Sequence, residues 1–258
     1  WKYSNVSEPE AATKEQPKIV GKPYVVNEML PSLVQMHHDT GWEPGDYQSA
    51  MVFLGWSRDN RYYAFEVHRP ASAPHDMDLG SLELQIVDAK TDKWLPQSHL
   101  LYVNSLTCEY FDSNCDDLDV RNHKYFSFAG MRKSFQQEKK QKLSKYKIEV
   151  GYLTEPVQFI EDGDRYSLPL PDGRNGLLSF QSEEGQQYDI AGYTFSWLSP
   201  FNRPIESGKK RQETLSYALN SAFVSPDGSH VAFVVSKYIT IHEGTELSFM
   251  TNGSPILK

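Results

Sequence analysis

Two cysteines in 258 residues are too few to hold a fold together, and they supply at most half of a tetrahedral zinc shell. Long apolar runs are also missing. The longest, Val231–Val235, falls far short of the roughly 20 residues that a membrane-spanning helix needs. Basic charge is in deficit, with 26 Lys and Arg against 34 Asp and Glu, so a general nucleic-acid binder is not expected. No Gly-x-Ser-x-Gly elbow, phosphate-cradling glycine loop or dinucleotide fingerprint occurs; Gly55-Trp-Ser57 runs on into Arg58 and Asp59. What is present is 39% apolar and 13% aromatic residues, enough for a substantial core and too many for wholesale disorder.

Residues 1–22 show little apolar periodicity and read as a flexible arm, with 23–258 as a single β-rich domain. The opening Trp1-Lys-Tyr-Ser-Asn has neither the basic start nor the apolar stretch of a secretory signal, as expected of a trimmed or mature chain. From Tyr24 onward, short β-like runs alternate with turns. The runs are 49–55, 62–68, 81–87, 221–224, 231–235 and 245–250. In 82–86, Leu82, Leu84 and Ile86 share one face while Glu83 and Gln85 share the other, the pattern of a half-buried antiparallel strand. Between the runs stand Arg58-Asp-Asn60, Ala89–Asp92, Glu161–Asp164, Pro171-Asp-Gly173 and Pro226-Asp-Gly228, where Asp side chains bond nearby backbone and Asn or Gly accepts positive φ.

One helix is expected, near 130–146, with Met131, Phe135, Leu143 and Tyr146 toward one face. The segment 130–147 carries seven Lys or Arg against Glu138, about +6, while the remainder of the chain is about −14. This is either a solvated basic helix on an acidic sheet or a surface for an anionic partner, anionic lipid included.

The stretches 53–67 and 222–235 repeat one pattern: an apolar run, Ser-x-Asp-Asn/Gly, a short spacer, then Ala-Phe and more apolar residues. Each predicts a β-hairpin. The first continues into Gln85-Ile-Val-Asp-Ala-Lys-Thr-Asp-Lys-Trp94, another strand-turn-strand. Together these resemble blades of TolB-like β-propellers. The wider order from Gly45-Asp46 through Gln85-Ile-Val-Asp88, the Lys-rich helix, Tyr217, Val224-Ser-Pro-Asp-Gly228 and His242-Glu-Gly244 to Phe249-Met-Thr-Asn-Gly253 looks like a bacterial family of predicted secreted proteins of unknown function. That resemblance implies a bacterial, periplasmic or secreted protein and carries no catalytic residue. It also supports a small disulfide-closed loop between Cys108 and Cys115, which the C-x6-C spacing in an acidic, loop-like stretch suits, the alternative being two unrelated thiols.

For metals, Met36-His-His-Asp39, with His68, His75, Asp76 and Asp78, offers ligand types, but adjacent histidines on a strand point oppositely. Asp112–Asp119 has oxygens spaced like a calcium loop, yet Asp117 stands where that loop has glycine and His123 where it has its bidentate Glu. No metal or other cofactor is expected. Glu183-Glu184 and the pair Asp162 and Asp164 sit in turn-like surroundings, and Trp42, Trp56, Trp94 and Trp197 are expected to fill the core and its rim, the alternative being a groove of them that holds a glycan or peptide. The fold expected is mostly β, antiparallel hairpins in an irregular propeller-like or β-sandwich domain with one helix. The function expected is a non-catalytic extracytoplasmic binding or scaffold protein whose partner is a protein or envelope component. The alternative is a hydrolase acting on cell-envelope glycan or peptide, for which a buried carboxylate pair in a deep pocket would be the sign.

Overall fold

The computed structural model describes residues 21–26, 47–48, 50–69, 81–103, 128–183, 192–207, 214–241 and 244–256. They are mostly β, with three sheets and, among the described residues, one α-helix, α1 (Phe128–Lys145). The first sheet contains β1 (Tyr24–Val26), β3 (Ala50–Trp56), β4 (Tyr62–Arg69), β5 (Ser81–Asp88), β6 (Lys93–Trp94) and β7 (Leu100–Val103). The second runs β12 (Arg203–Ser207), β11 (Tyr193–Ser199), β10 (Asn175–Ser182), β9 (Arg165–Pro169), β8 (Ile160–Asp162). The third runs β13 (Thr214–Val224), β14 (His230–Ile241), β15 (Gly244–Pro255), β2 (Tyr47–Gln48). All pairs are antiparallel except β15 with β2.

The sheets stack face to face with the third in the middle. Along β14, Val231, Phe233 and Val235 point into the second sheet, against Phe195 and Trp197. Ala232, Val234 and Tyr238 point the other way, into a core shared with Met51, Phe53, Tyr63 and Phe65 of the first sheet. A strand buried on both faces must be apolar at consecutive positions, which is why 231–235 does not alternate. The first sheet's far face carries Leu54, Ala64, Leu82, Leu84 and Ile86, and α1 covers it with Phe135 and Leu143. The architecture is therefore helix, sheet, sheet, sheet, an open stack rather than a closed ring among the described residues.

The two repeated motifs adopt the same turn. In the first, Ser57 Oγ donates to Asp59 Oδ1 (2.6 Å), the Tyr62 N–H donates to Ser57 Oγ and the Asn60 N–H to Ser57 O. In the second, Ser225 Oγ donates to Asp227 Oδ1 (2.8 Å), the His230 N–H to Ser225 Oγ and the Gly228 N–H to Ser225 O. Asn60 and Gly228 hold φ of 62° and 69°. The β9–β10 turn is a tighter variant, with Leu170 replacing the serine, Gly173 at φ 84° and Asp172 Oδ1 accepting from the Arg174 N–H. Each sheet thus contributes one such turn, and the three tips lie together. The Asp227 N–H donates to Asn60 Oδ1 (3.1 Å), and a methyl group added at Gly228 would meet the Pro171 ring at 3.0 Å.

The chain leaving α1 is fastened beside β3. The Glu149 N–H donates to Trp56 O and the Gly151 N–H to Leu54 O, while the Trp56 N–H donates to Tyr152 O. The two backbones come so close at Gly55 (φ 135°) that a Cβ there would sit 2.6 Å from Glu149 O. The N-terminal side is tied to this same segment by the Gly21 N–H to Gly151 O and by Thr154 Oγ1 to Lys22 O. These bonds set the end of α1 against the β3–β4 turn.

Candidate functional site

The lysines of α1 divide by what they touch. Lys139 ion-pairs with buried Glu66, Lys142 Nζ donates to Gln97 O, and Lys145 lies over the Tyr146 ring. Lys142 and Lys145 in the last turn also complement the helix dipole. Lys140 and Lys147 have no ion-pair partner among the described residues, and both are exposed. They line a groove of about 750 Å³ between α1 and the β3–β4 turn, with Arg58, Gln136, Lys139, Ser144, Glu149 and Val150. Leu143 and Ile148 form its apolar floor.

Two features order this groove. Arg58 lies over the Tyr152 ring at 4.9 Å and binds Glu149 Oε2 through Nε and Nη2 (2.6 and 2.5 Å), which fixes the guanidinium at one wall. The helix ends in a reverse turn in which the Ile148 N–H donates to Leu143 O and the Lys147 N–H to Ser144 O. This is the Schellman arrangement, and it puts Lys147 at the left-handed position (φ 55°) where glycine is usual. A lysine there accepts backbone strain to bring its charge to the groove. Of the four cations that line the groove, Arg58 is paired with Glu149 and Lys139 with Glu66, and Lys147 acts electrostatically on Asp59, so the exposed excess of positive charge comes from Lys140 and Lys147.

A second concavity, of about 620 Å³, is an open trough between the β8–β10 end of the second sheet and β13. Glu161, Asp164, Gln181, Glu183, Thr194 and Tyr217 are among its lining residues. Asp164 accepts from Gln181 Nε2 (2.6 Å), a hydrogen bond that holds its pKa below the ordinary value. Tyr166 donates to Glu161, and burial pushes its hydroxyl up to about 12. Asp59, Asp172 and Asp227 are likewise held below their ordinary values, by Ser57, by Arg174 and, against the opposing effect of burial, by Ser229. None of these four carboxylates is poised to donate a proton near neutral pH.

Cys108, Cys115, Met36–Asp39, Trp42, His75, Asp76, Asp78, the 112–119 loop, His123 and Glu184 lie outside the described residues. Asp162 is exposed on β8, and Glu183 lies at the trough. His68 is committed to Glu66 (Nε2 to Oε2, 2.8 Å), and no cluster of three or more metal-ligating side chains occurs among the described residues. Trp56 and Trp197 are in the core, and Trp94 stands at the rim, 48% exposed. No described helix is long and apolar enough to cross a membrane. The basic character of α1 was visible in sequence. The groove was not, because its opposite wall, Arg58, lies 91 residues from Glu149. Comparison with protein-family models, with curated proteins and with solved structures finds no match.

Proposed function

We propose that this protein is a non-catalytic, extracytoplasmic binding or scaffold protein that holds an anionic group of a soluble polymer or acidic protein surface of the cell envelope. The observation that carries this reading is the placement of Lys140 and Lys147, exposed cations that make no ion-pair contact among the described residues, across a groove from a fixed arginine. An isolated surface lysine is ordinary; a strained one converging with others on an open cavity fits a ligand. The solvent side of α1 speaks against insertion into lipid. Lys133, Gln136, Gln137, Lys140, Gln141 and Ser144 present no apolar stripe, which a membrane-surface helix requires. The alternative, a hydrolase acting on envelope glycan or peptide, finds less support. The described trough is open, and its Asp164 is exposed and held ionised.

The test is equilibrium binding of the full chain to soluble polyphosphate and to polyglutamate, with phosphatidylglycerol vesicles as a third arm. Reversing two charges with K140E/K147E is expected to weaken polymer binding at least about tenfold at low salt and to flatten its salt dependence. Unchanged affinity, or binding only to vesicles, would refute the reading. A separate variant divides stability from binding. Lys147→Gly relieves the left-handed strain and should raise stability by about 1 kcal/mol while weakening polymer binding, read by urea unfolding alongside the titration.

A further inference from the structure

At the opposite edge of the first sheet a set of unlike side chains shares one face. Glu83, Gln85 and Val87 alternate on β5, so they point the same way. Trp94 pairs with Val87 and Leu101 with Glu83, which places both on that face, and His99, two residues before Leu101, joins them. The row Trp56, Tyr63, Val87, Trp94 crosses four strands. Its first three members are buried against the third sheet, and the last emerges into solvent. The first sheet is wider than the sheet that covers it, and the overhang carries an indole.

The polar groups beside that indole are held in place. Glu83 is buried, and its Oε1 accepts from Gln85 Nε2 (2.5 Å) and from His99 Nε2 (2.8 Å). The His99 contact with Glu83 is made through Nε2, so Nδ1 is directed away from the carboxylate. His99 meets Trp94 edge to face, ring centroids 5.0 Å apart at 90°. The Gln85 amide uses one N–H on Glu83, which leaves its second N–H and its Oε1, a donor and an acceptor in one plane, on a half-buried side chain. An exposed aromatic plate flanked by a preset planar amide and a polar imidazole edge matches a pyranose. The sugar's C–H face stacks on the indole, and vicinal hydroxyls donate to and accept from the amide. The indole of Trp94 and the amide of Gln85 carry no charge, which fits a neutral sugar.

We infer that the Trp94, Gln85, His99 face is a subsite for a neutral saccharide, separate from the basic groove and independent of what that groove binds. The test titrates the full chain with cellohexaose, maltohexaose and chitohexaose and with a proline-rich decapeptide, which is the other common partner of an exposed indole. Binding is followed by tryptophan emission and by calorimetry. At least one saccharide is expected to bind with a Kd of about 0.1–5 mM, typical of one stacked sugar with few hydrogen bonds. Trp94→Ala should weaken it at least about tenfold and Gln85→Leu about fivefold, with circular dichroism and melting temperature unchanged. Trp94→Phe, which keeps a smaller plate, should restore part of the affinity. No saccharide bound at about 10 mM, saccharide binding untouched by Trp94→Ala, or binding of the decapeptide alone would each overturn the proposal.

Discussion

Lys139→Met is expected to cost about 3–5 kcal/mol of folding stability, the scale for breaking a buried ion pair from one side. Glu66 lies under α1 on the face of the first sheet that the helix covers, 3% exposed, with Lys139 on Oε1 and His68 on Oε2. Burial alone would raise its pKa. The hydrogen bonds from His68 and Lys139 outweigh that and hold the carboxyl below its ordinary value. Methionine fills the space of the lysine stem and strands the carboxylate with one partner. Glu66→Gln should cost less, because the Lys139 side chain is 15% exposed and its ammonium can reach water by a small rotation. Replacing both, Glu66→Leu with Lys139→Met, should recover most of the loss, since the desolvation cost of the pair disappears with it. Urea unfolding at neutral pH reads all three. A loss below about 1 kcal/mol for Lys139→Met would show that the pair is solvated and the helix loosely docked.

The sign of the pH dependence follows from the direction of the shift. A carboxyl whose folded pKa lies below its unfolded one stabilises the fold above the unfolded value, near 4.5 for glutamate, and that contribution is lost as pH falls through the folded pKa. The wild-type protein should therefore lose more stability on acidification from about pH 5 to about pH 3 than the Glu66→Gln variant. Equal slopes would mean that Glu66 is not the group being protonated.

What the sequence disclosed depended on whether a signal was local. The Ser-x-Asp-Asn/Gly turns were legible because each is closed by its own side chains, within five residues. The helix was legible because Phe135 and Leu143, two turns apart, are its buried contacts and the residues between are strong helix formers. The second sheet was not drawn out, although Tyr193, Phe195 and Trp197 alternate strictly with Thr194 and Ser196 and all three large side chains are buried. Its strands are interspersed with Pro, Gly and Ser, which read as turns when strand pairing is unknown. Pro171-Asp-Gly173 was legible as a turn but not as a third copy of the motif. The β9–β10 turn lacks the serine and is one residue tighter, so the pattern that identified the others passed over it. The sites were hidden for a different reason. Arg58 and Lys147 line one groove, and Gln85 and Glu83 join His99 and Trp94 on one face, only after strands and helix are placed, and a sheet overhanging its neighbour leaves no mark on any single strand.

The second large effect concerns the middle sheet. Phe53 and Phe223 stack at 3.9 Å between ring centroids, 1° from parallel, across the first and third sheets. Phe233, on the third sheet's other face, meets Phe195 at 4.8 Å and Trp197 at 5.9 Å. All three phenylalanines are fully buried, and truncation of any one to alanine is expected to cost about 3–5 kcal/mol through lost burial and the cavity left behind. The pairing of the losses tests the stack itself. Phe53→Ala with Phe223→Ala should cost less than the sum of the single changes by about 0.5–1.5 kcal/mol, since each ring is the other's partner and the second truncation forfeits less. Phe53→Ala with Phe233→Ala should add to within about 0.5 kcal/mol, because the middle sheet's backbone lies between the two cavities. Those losses are comparable with the whole stability of an ordinary domain, so the double variants are best compared by urea midpoint in a stabilising salt such as sulfate. Coupling of similar size in both pairs would mean that the two cores are continuous around the strand, and that the third sheet does not partition the molecule into separate layers.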